Sequence, residues 1–188
     1  MRLQKKNLVM VNDRLGFLYQ FTDALSDEIC NNLISKFEKS DNLLKRDNNG
    51  YPNFTELEIS YDSEIIKITK DVLDLYVSLL NPYGDFFLSN KKCFEGFRIK
   101  KYFGGTEDRF DMHVDVSGKE VSGRYLAFLY YLNDDYSGGK TVFYPNHIIT
   151  PIKGSVLVFP PYWMYPHEGQ RVISGNKYIM STYLHWGD

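Results

Sequence analysis

The chain has 188 residues, a length that fits one domain with a full hydrophobic core of its own. Aromatic residues make up 16% of the chain, which excludes a mostly disordered protein because disordered segments are poor in aromatic side chains. The 22 basic and 24 acidic residues give a net charge of -2, so no chain-wide positive field attracts nucleic acid.

The cysteine content and the hydropathy of the chain indicate the cellular compartment in which we expect the protein. Cys30 and Cys93 are too few for a disulfide framework or a zinc cage, and they fit a reducing compartment or a single optional disulfide bridge. The apolar run from Leu8 to Val11 is too short for the core of a signal peptide, and no stretch approaches the roughly 18 apolar residues of a membrane helix. We therefore expect a cytoplasmic protein with no membrane or nucleic-acid partner, and its oligomeric state stays open.

The first two-fifths of the chain have mainly helical patterns. A short strand pair is predicted within residues 9–21, and Ser26 is a candidate N-cap for a helix that ends at about Lys39. A second helix is predicted from about Asp62 to Leu80. The polar stretch between the helices, residues 40–54, is predicted to be a loop.

After Cys93 the pattern changes to short strands rich in aromatic and β-branched residues. Turn residues such as Gly104-Gly105 and Gly175-Asn176 separate them, and no helical pattern lies between. This predicts an antiparallel sandwich or barrel that follows the helices within one domain. We expect that domain to span residues 1–188, with a helical support in residues 1–90 and a β core in residues 91–188.

One predicted strand of the β core has a polar face. Within residues 94–102, Arg98, Lys100 and Tyr102 lie on the same side because side chains alternate along a strand. Such a face suits either the mouth of an active site or solvent.

Two of the four histidines are candidate metal ligands. His113 and Asp115 are two residues apart, so an extended chain places both side chains on one face, and His167 is a second candidate from another strand. Two imidazoles and one carboxylate, with the other positions open, are the ligands of non-heme Fe(II) oxygenases. Alone, an H-x-D pair is more often a polar turn. We expect His147 at the surface and His185 in a structural role.

The residues that follow His113 form an ordered set of motifs. They are YLN at 131–133, GGKTVF at 138–143, PIKG at 151–154, PHEG at 166–169, and Lys177 ten positions after His167. Together, from about Phe94 to Trp186, they resemble the catalytic half of the prolyl 4-hydroxylase group of Fe(II)- and 2-oxoglutarate-dependent dioxygenases.

The resemblance implies a fold and a set of site residues. The fold would be mainly β, a double-stranded β-helix (jelly roll) in residues 91–188 with the N-terminal helices packed on one sheet. His113, Asp115 and His167 would bind Fe(II), and Lys177 would pair with the distal carboxylate of 2-oxoglutarate. These four are the expected catalytic residues. The resemblance further implies that Tyr102, Tyr131 and Thr141 hydrogen-bond 2-oxoglutarate, that O2 is the oxidant, and that ascorbate can assist.

The implied reaction is hydroxylation of an unactivated C–H bond with release of succinate and CO2. A prolyl residue of a peptide or protein is the favoured target, and another amino-acid residue or a small molecule is the alternative. A catalytically silent jelly-roll binding module would have no need of an intact set of His113, Asp115, His167 and Lys177. A cupin-like metalloenzyme such as an isomerase would have no use for Lys177. From the residues alone, Lys177 could also be a solvated lysine, and Tyr131 and Thr141 ordinary strand residues.

Overall fold

The computed structural model describes residues 8–10, 15–49, 51–59, 62–80 and 92–186. Two α-helices lie in these residues, α1 (Asp27–Glu38) and α2 (Ser63–Leu79), and neither is long and apolar enough to cross a membrane. The strands in chain order are β1 (Leu8–Met10), β2 (Tyr19–Phe21), β3 (Leu44–Asp47), β4 (Asn53–Ile59), β5 (Lys92–Phe94), β6 (Phe97–Phe103), β7 (Phe110–His113), β8 (Arg124–Tyr131), β9 (Ser137–Gly138), β10 (Thr141–Phe143), β11 (His147–Ile149), β12 (Val156–Phe159), β13 (His167–Gly169), β14 (Val172–Ser174) and β15 (Asn176–Trp186).

The strands form two main antiparallel sheets and a short ribbon. The major sheet has the order β1-β2-β12-β8-β15-β6-β4-β3, and β5 also pairs with β15. The minor sheet has the order β11-β10-β13-β7, and β14 pairs with β9 in the ribbon. This pair of antiparallel sheets is a jelly roll, so the predicted mainly β fold is confirmed.

The two faces of the major sheet contact different layers because its side chains alternate. On β12, Val156 and Val158 belong to a core shared with both helices, whereas Leu157 and Phe159 belong to a core shared with the minor sheet. The same alternation runs along β8 and β15. The helices therefore cover one face of the major sheet, and the space between the two sheets lies on the other face.

The predicted helices are confirmed with bounds that differ by one residue. The side chain of Ser26 accepts a hydrogen bond from the backbone N–H of Ile29 and caps α1, which matches the predicted start. Asp62 caps α2 in the same way. The predicted strand pair near the start of the chain is also confirmed, since β1 pairs with β2.

The predicted loop over residues 40–54 is wrong. It contains β3 and the start of β4, which form a hairpin at the edge of the major sheet next to β6. All four residues of β3 are exposed, and three of them are charged. An exposed edge strand has no apolar face to bury, so its sequence resembles that of a loop. The hairpin forms this edge of the major sheet, and its residues line a cleft that also contains His113 and Asp115.

A close contact between two turns fixes the start of β15. Gly104 follows β6 and Gly175 precedes β15, and a Cβ atom on Gly104 would lie 2.0 Å from the carbonyl oxygen of Gly175. Gly175 itself has a φ of +76°, a conformation that favours glycine. Lys177 is two residues further along, so this contact sets where Lys177 enters the space between the sheets.

We predict that Gly104→Ala destabilises the fold. The added methyl group must displace backbone rather than a flexible side chain, and overpacking of this kind costs about 1–3 kcal/mol. The midpoint of thermal unfolding should fall by at least about 2 °C. Gly118→Ala is the matched control, because the nearest atom to its Cβ is the end of the Glu120 side chain at 3.1 Å. Equal midpoints for the two variants would contradict the prediction.

Candidate metal centre

The pairing of β7 with β13 brings two histidines side by side. His113 is the last residue of β7, His167 is the first residue of β13, and the two are directly opposite in the antiparallel register. Residues opposite each other point to the same face of a sheet, and the two imidazole rings have centroids 4.4 Å apart. Both rings lie on the inner face of the minor sheet, toward the major sheet.

Backbone carbonyl groups hold both imidazoles in one tautomer. Nδ1 of His113 donates to the carbonyl of Asp111 at 2.8 Å, and Nδ1 of His167 donates to the carbonyl of Tyr165 at 3.1 Å. A carbonyl only accepts, so Nδ1 carries a proton, and the neutral form of each ring then has its lone pair on Nε2. The two Nε2 atoms lie 3.5 and 3.7 Å from the Asp115 carboxylate oxygens.

These atoms fit the donor set of one divalent metal ion. Separations of 3.5 and 3.7 Å are too long for good hydrogen bonds. Two ligand atoms that are each about 2.1 Å from the same ion are at most about 4.2 Å apart. Both separations are below this limit. His113, Asp115 and His167 are the only such group of three in the described part of the chain. Two imidazoles and one carboxylate match the ligands of non-heme Fe(II) sites.

Electrostatics favours the same protonation states. Burial lowers the pKa of His167 to about 4, although the Asp115 charge opposes this, so the ring is neutral at neutral pH. Burial by itself raises the pKa of Asp115, but its interactions with His167 and His113 outweigh burial and hold that pKa well below the usual range. The site therefore has a neutral imidazole and an ionised carboxylate, which are the forms that bind metal.

Tyr183 and Arg124 orient Asp115. The hydroxyl group of Tyr183 donates to Oδ1 of Asp115 at 2.9 Å, and the guanidinium group of Arg124 donates to the Asp115 carbonyl at 3.3 Å. Arg124 also lies 3.9 Å over the ring of Tyr183 and donates to Glu95 at 2.7 Å. Burial and the Asp115 charge raise the pKa of Tyr183 well above its usual value, so its hydroxyl group remains a donor.

Lys177 lies in the same pocket, on the inner face of β15, and is 1% exposed. Its ammonium group donates to the carbonyl of Gly139 at 2.7 Å and to the hydroxyl group of Thr141 at 3.4 Å. Among the described residues no carboxylate lies within 4.0 Å of it. Burial lowers the pKa of Lys177 to about 7. A buried cation that contacts neutral groups and has no carboxylate partner is suited to bind an anionic ligand.

Tyr102, Tyr131 and Thr141, which the resemblance implies as contacts of 2-oxoglutarate, lie near Lys177. The ammonium group lies 5.5 Å from the ring centroid of Tyr102 and 5.8 Å from that of Tyr131. Tyr131 donates to Thr141 at 2.8 Å and thereby lies behind it, whereas Tyr102 and Thr141 line the pocket directly. The hydroxyl group of Tyr102 has no hydrogen bond within the described residues, which leaves it available to a ligand.

The other two histidines lie outside this cluster. His147 was expected at the surface, and it is half-buried in β11 of the minor sheet, opposite Phe143. His185 lies in β15 with its Nε2 at 2.6 Å from a Glu95 carboxylate oxygen, which is a structural contact as predicted.

The sequence did not single out Ser181 or Tyr183, and it indicated Lys100 only as part of a polar strand face. Ser181 and Tyr183 share the inner face of β15 with Lys177, and Lys100 shares the inner face of β6 with Tyr102. The hydroxyl group of Ser181 is buried and has no partner among the described residues. Counting by twos from Lys177 along the strand would have found Ser181 and Tyr183, because alternate residues share a face.

Comparison with known proteins identifies the class. Residues 97–185 match the family model of the 2OG-Fe(II) oxygenase superfamily, and all members of the candidate site lie in that range. With the jelly roll and the His-Asp-His cluster, this match assigns residues 97–185 to that superfamily, whose members use Fe(II), 2-oxoglutarate and O2. No curated protein matches the chain significantly by sequence.

Solved structures with the same fold include several prolyl hydroxylases. A viral collagen prolyl hydroxylase from Paramecium Bursaria Chlorella virus-1, solved with 2-oxoglutarate, is 20% identical with a TM-score of 0.72, over 91% of this chain and 97% of that chain. A prolyl hydroxylase from Trichoplax adhaerens was solved with a peptide fragment of the hypoxia inducible factor oxygen degradation domain. It is 19% identical to this chain with a TM-score of 0.71, and the match covers 89% of this chain and 83% of that chain. A prolyl-4-hydroxylase from Pseudomonas putida is 15% identical with a TM-score of 0.70, over 91% of this chain and 93% of that chain.

We predict that Tyr183→Phe weakens the binding of a divalent metal by about 10- to 100-fold, because Asp115 loses the donor that orients it. Titration of the variant with Co(II), followed by calorimetry, would measure the dissociation constant. Tyr125→Phe is the matched control, since it removes a tyrosine hydroxyl group outside the pocket. A Tyr183→Phe variant that bound Co(II) as tightly as the control would contradict the orienting role.

Proposed function

We propose that the chain is a hydroxylase in which His113, Asp115 and His167 bind Fe(II) and Lys177 binds 2-oxoglutarate. The observation that carries this proposal is that the three metal-ligand candidates and a buried lysine without a carboxylate partner line one pocket. When bound, Fe(II) and 2-oxoglutarate would activate O2, so that one oxygen atom enters a substrate C–H bond as hydroxyl and the other enters succinate, with release of CO2. Three protein ligands leave coordination positions open for that chemistry.

The residues around Lys177 support a role in co-substrate binding. A buried dianion requires a cation, and the ammonium group of Lys177 would pair with the distal carboxylate of 2-oxoglutarate. The hydroxyl groups of Thr141 and Tyr102 would donate to the same carboxylate or its neighbouring atoms, and Tyr131 would hold Thr141 in place. Apolar side chains at the pocket wall, such as Phe159 and Ile179, would exclude water. Assistance by ascorbate stays a prediction.

The proposed target is a prolyl residue of a peptide or protein. The jelly roll is shared with three prolyl hydroxylases, one of them solved with a peptide, which supports a peptide target for this chain. An open cleft of about 630 Å³ leads to His113 and Asp115, and Tyr51, Phe54 and Phe110 form an aromatic wall beside them. Such a wall suits an apolar pyrrolidine ring. Since the β3–β4 hairpin supplies part of the cleft, we also propose that residues 1–188 act as one domain.

The test of the proposed function is succinate formation from 2-oxoglutarate with Fe(II) and a panel of proline-containing peptides. We predict that His113→Ala, Asp115→Ala and His167→Ala each abolish turnover and weaken Fe(II) binding, because two remaining ligands hold a divalent ion poorly. Undiminished turnover in any of the three would contradict the assignment of that residue. Absence of 2-oxoglutarate turnover in the wild type would instead favour the silent binding module.

Co-substrate binding should depend on pH through Lys177. With a pKa of about 7 the free side chain is mostly neutral at pH 8, and a bound carboxylate favours its charged form. Binding of 2-oxoglutarate should therefore take up close to one proton at pH 8 and far less at pH 6. The affinity should fall above pH 7 by up to about tenfold per pH unit, and should level off below pH 7, where the lysine is already charged.

Calorimetric titration of the Zn(II)-loaded protein with 2-oxoglutarate, in buffers of different ionisation enthalpy, measures this uptake. Lys177→Arg keeps its charge at both pH values and should lose the difference in proton uptake. Lys177→Ala removes the partner of a buried carboxylate, which costs about 3–5 kcal/mol, or two to four decades of affinity. Wild-type proton uptake that is equal at pH 6 and pH 8 would show that another group binds the carboxylate.

A further inference from the structure

The cleft outside the metal-ligand candidates contains four cations, of which three are paired. Arg46 donates to Glu56 at 2.6 and 2.8 Å. Arg98 and Arg124 donate to Glu95, at 3.1 and 2.7 Å. The fourth cation is Lys100, which has no such partner among the described residues. Each of the three arginines therefore has a carboxylate partner within the protein, with Arg98 and Arg124 sharing Glu95, whereas Lys100 has none among the described residues.

Lys100 lies between two carboxylates but is bound to neither. Glu56 is directly opposite Lys100 on β4. However, the Glu56 carboxylate accepts from Arg46, and its oxygens are more than 4.0 Å from the Lys100 ammonium group. The Asp115 carboxylate accepts from Tyr183 and faces the two histidines. The contact that the structure gives the ammonium group is with the ring of Phe54, whose centroid is 5.2 Å away.

This position is unfavourable for a lysine in the absence of a ligand. Burial lowers the pKa of Lys100, although the charges of Asp115 and Glu56 oppose this. A partly desolvated ammonium group without a hydrogen bond costs free energy that an anionic ligand would recover. The ammonium group of Lys100 is thus suited to bind an anionic ligand in the cleft.

The surroundings of the ammonium group indicate which ligand it faces. Lys100 lines both the inner pocket, which contains Lys177, and the outer cleft. Phe54, whose ring the ammonium group contacts, and Glu56, which is directly opposite Lys100 on β4, both line the outer cleft only. The ammonium group is therefore on the substrate side, and the cleft is continuous from Lys100 to His113 and Asp115.

We propose that Lys100 binds a carboxylate of the primary substrate and so sets its position in the cleft. This inference rests on the proposed function, because it assigns the substrate class of the same site. The carboxylate belongs either to the reacting molecule itself, as in a free or C-terminal amino acid, or to an acidic side chain beside the reacting residue of a peptide. The aromatic wall of Tyr51, Phe54 and Phe110 then contacts the apolar part of the substrate.

The test compares matched acids and amides as ligands of the protein loaded with Zn(II) and 2-oxoglutarate, by calorimetry. The first pair is N-acetyl-L-proline and N-acetyl-L-prolinamide. The second is acetyl-Glu-Pro-Gly-amide and acetyl-Gln-Pro-Gly-amide, which places the carboxylate on a neighbouring side chain. The third is N-acetyl-L-alanine and its amide, which keeps the carboxylate and removes the proline ring. The first two pairs distinguish the two sources of the carboxylate.

In the wild type we expect the acid of at least one pair to bind about tenfold or more tightly than its amide. Lys100→Met should remove that preference and leave the 2-oxoglutarate dissociation constant within about twofold of the wild type. Lys100→Arg should keep most of the preference because the charge survives. Lys70→Met removes an exposed lysine of α2 and is the control for net charge.

Three outcomes of the titrations with acids and amides overturn the inference. They are equal affinity of acid and amide in every pair, lack of saturable binding by all of the acids, and an acid preference that survives in Lys100→Met. A loss of 2-oxoglutarate affinity in Lys100→Met would also overturn it, because the ammonium group would then serve the co-substrate. The proposed function is tested separately by wild-type succinate formation, and a preference confined to the alanine pair would support Lys100 while contradicting the prolyl target.

Discussion

The direct opposition of His113 and His167 across β7 and β13 is the constraint on which the candidate site depends. In a sheet a slip of one residue turns every side chain to the other face, so the register of this single strand pair decides whether the two imidazoles meet. Asp115 follows His113 by two residues and stays on the same side. The backbone carbonyls that fix the imidazole tautomers lie two residues before each histidine, so the same local geometry also exposes both Nε2 atoms.

The two faces of the major sheet have different tasks. On the inner face, Lys177 and Ser181 are buried and polar, and such groups weaken a core unless they are satisfied. On the outer face, residues such as Phe128 and Tyr130 pack with the two helices in a large apolar core. Thr69 of α2 also shares a buried hydrogen bond of 2.9 Å with the hydroxyl group of Tyr130. The helical layer thus stabilises a sheet whose other face is adapted for ligands.

Most of the fold and the centre of the candidate site were predictable from local patterns. The cap at Ser26, the change to short strands after Cys93 and the ordered motifs around His113 and His167 all correspond to elements of the structure. The β3–β4 hairpin was missed because its exposed edge strand has no apolar periodicity. Contacts such as that of Tyr183 with Asp115 join residues 68 positions apart, and sequence spacing alone does not reveal them.

The position of β15 has a consequence for how the protein folds. It is the last strand of the described chain, yet it lies in the middle of the major sheet, between β8 and β6. During synthesis those two strands therefore emerge before the segment that pairs with both of them. Contacts this distant in sequence slow folding, and unpaired strand edges invite association with other chains. The nascent polypeptide is accordingly most vulnerable to aggregation just before residues 176–186 leave the ribosome.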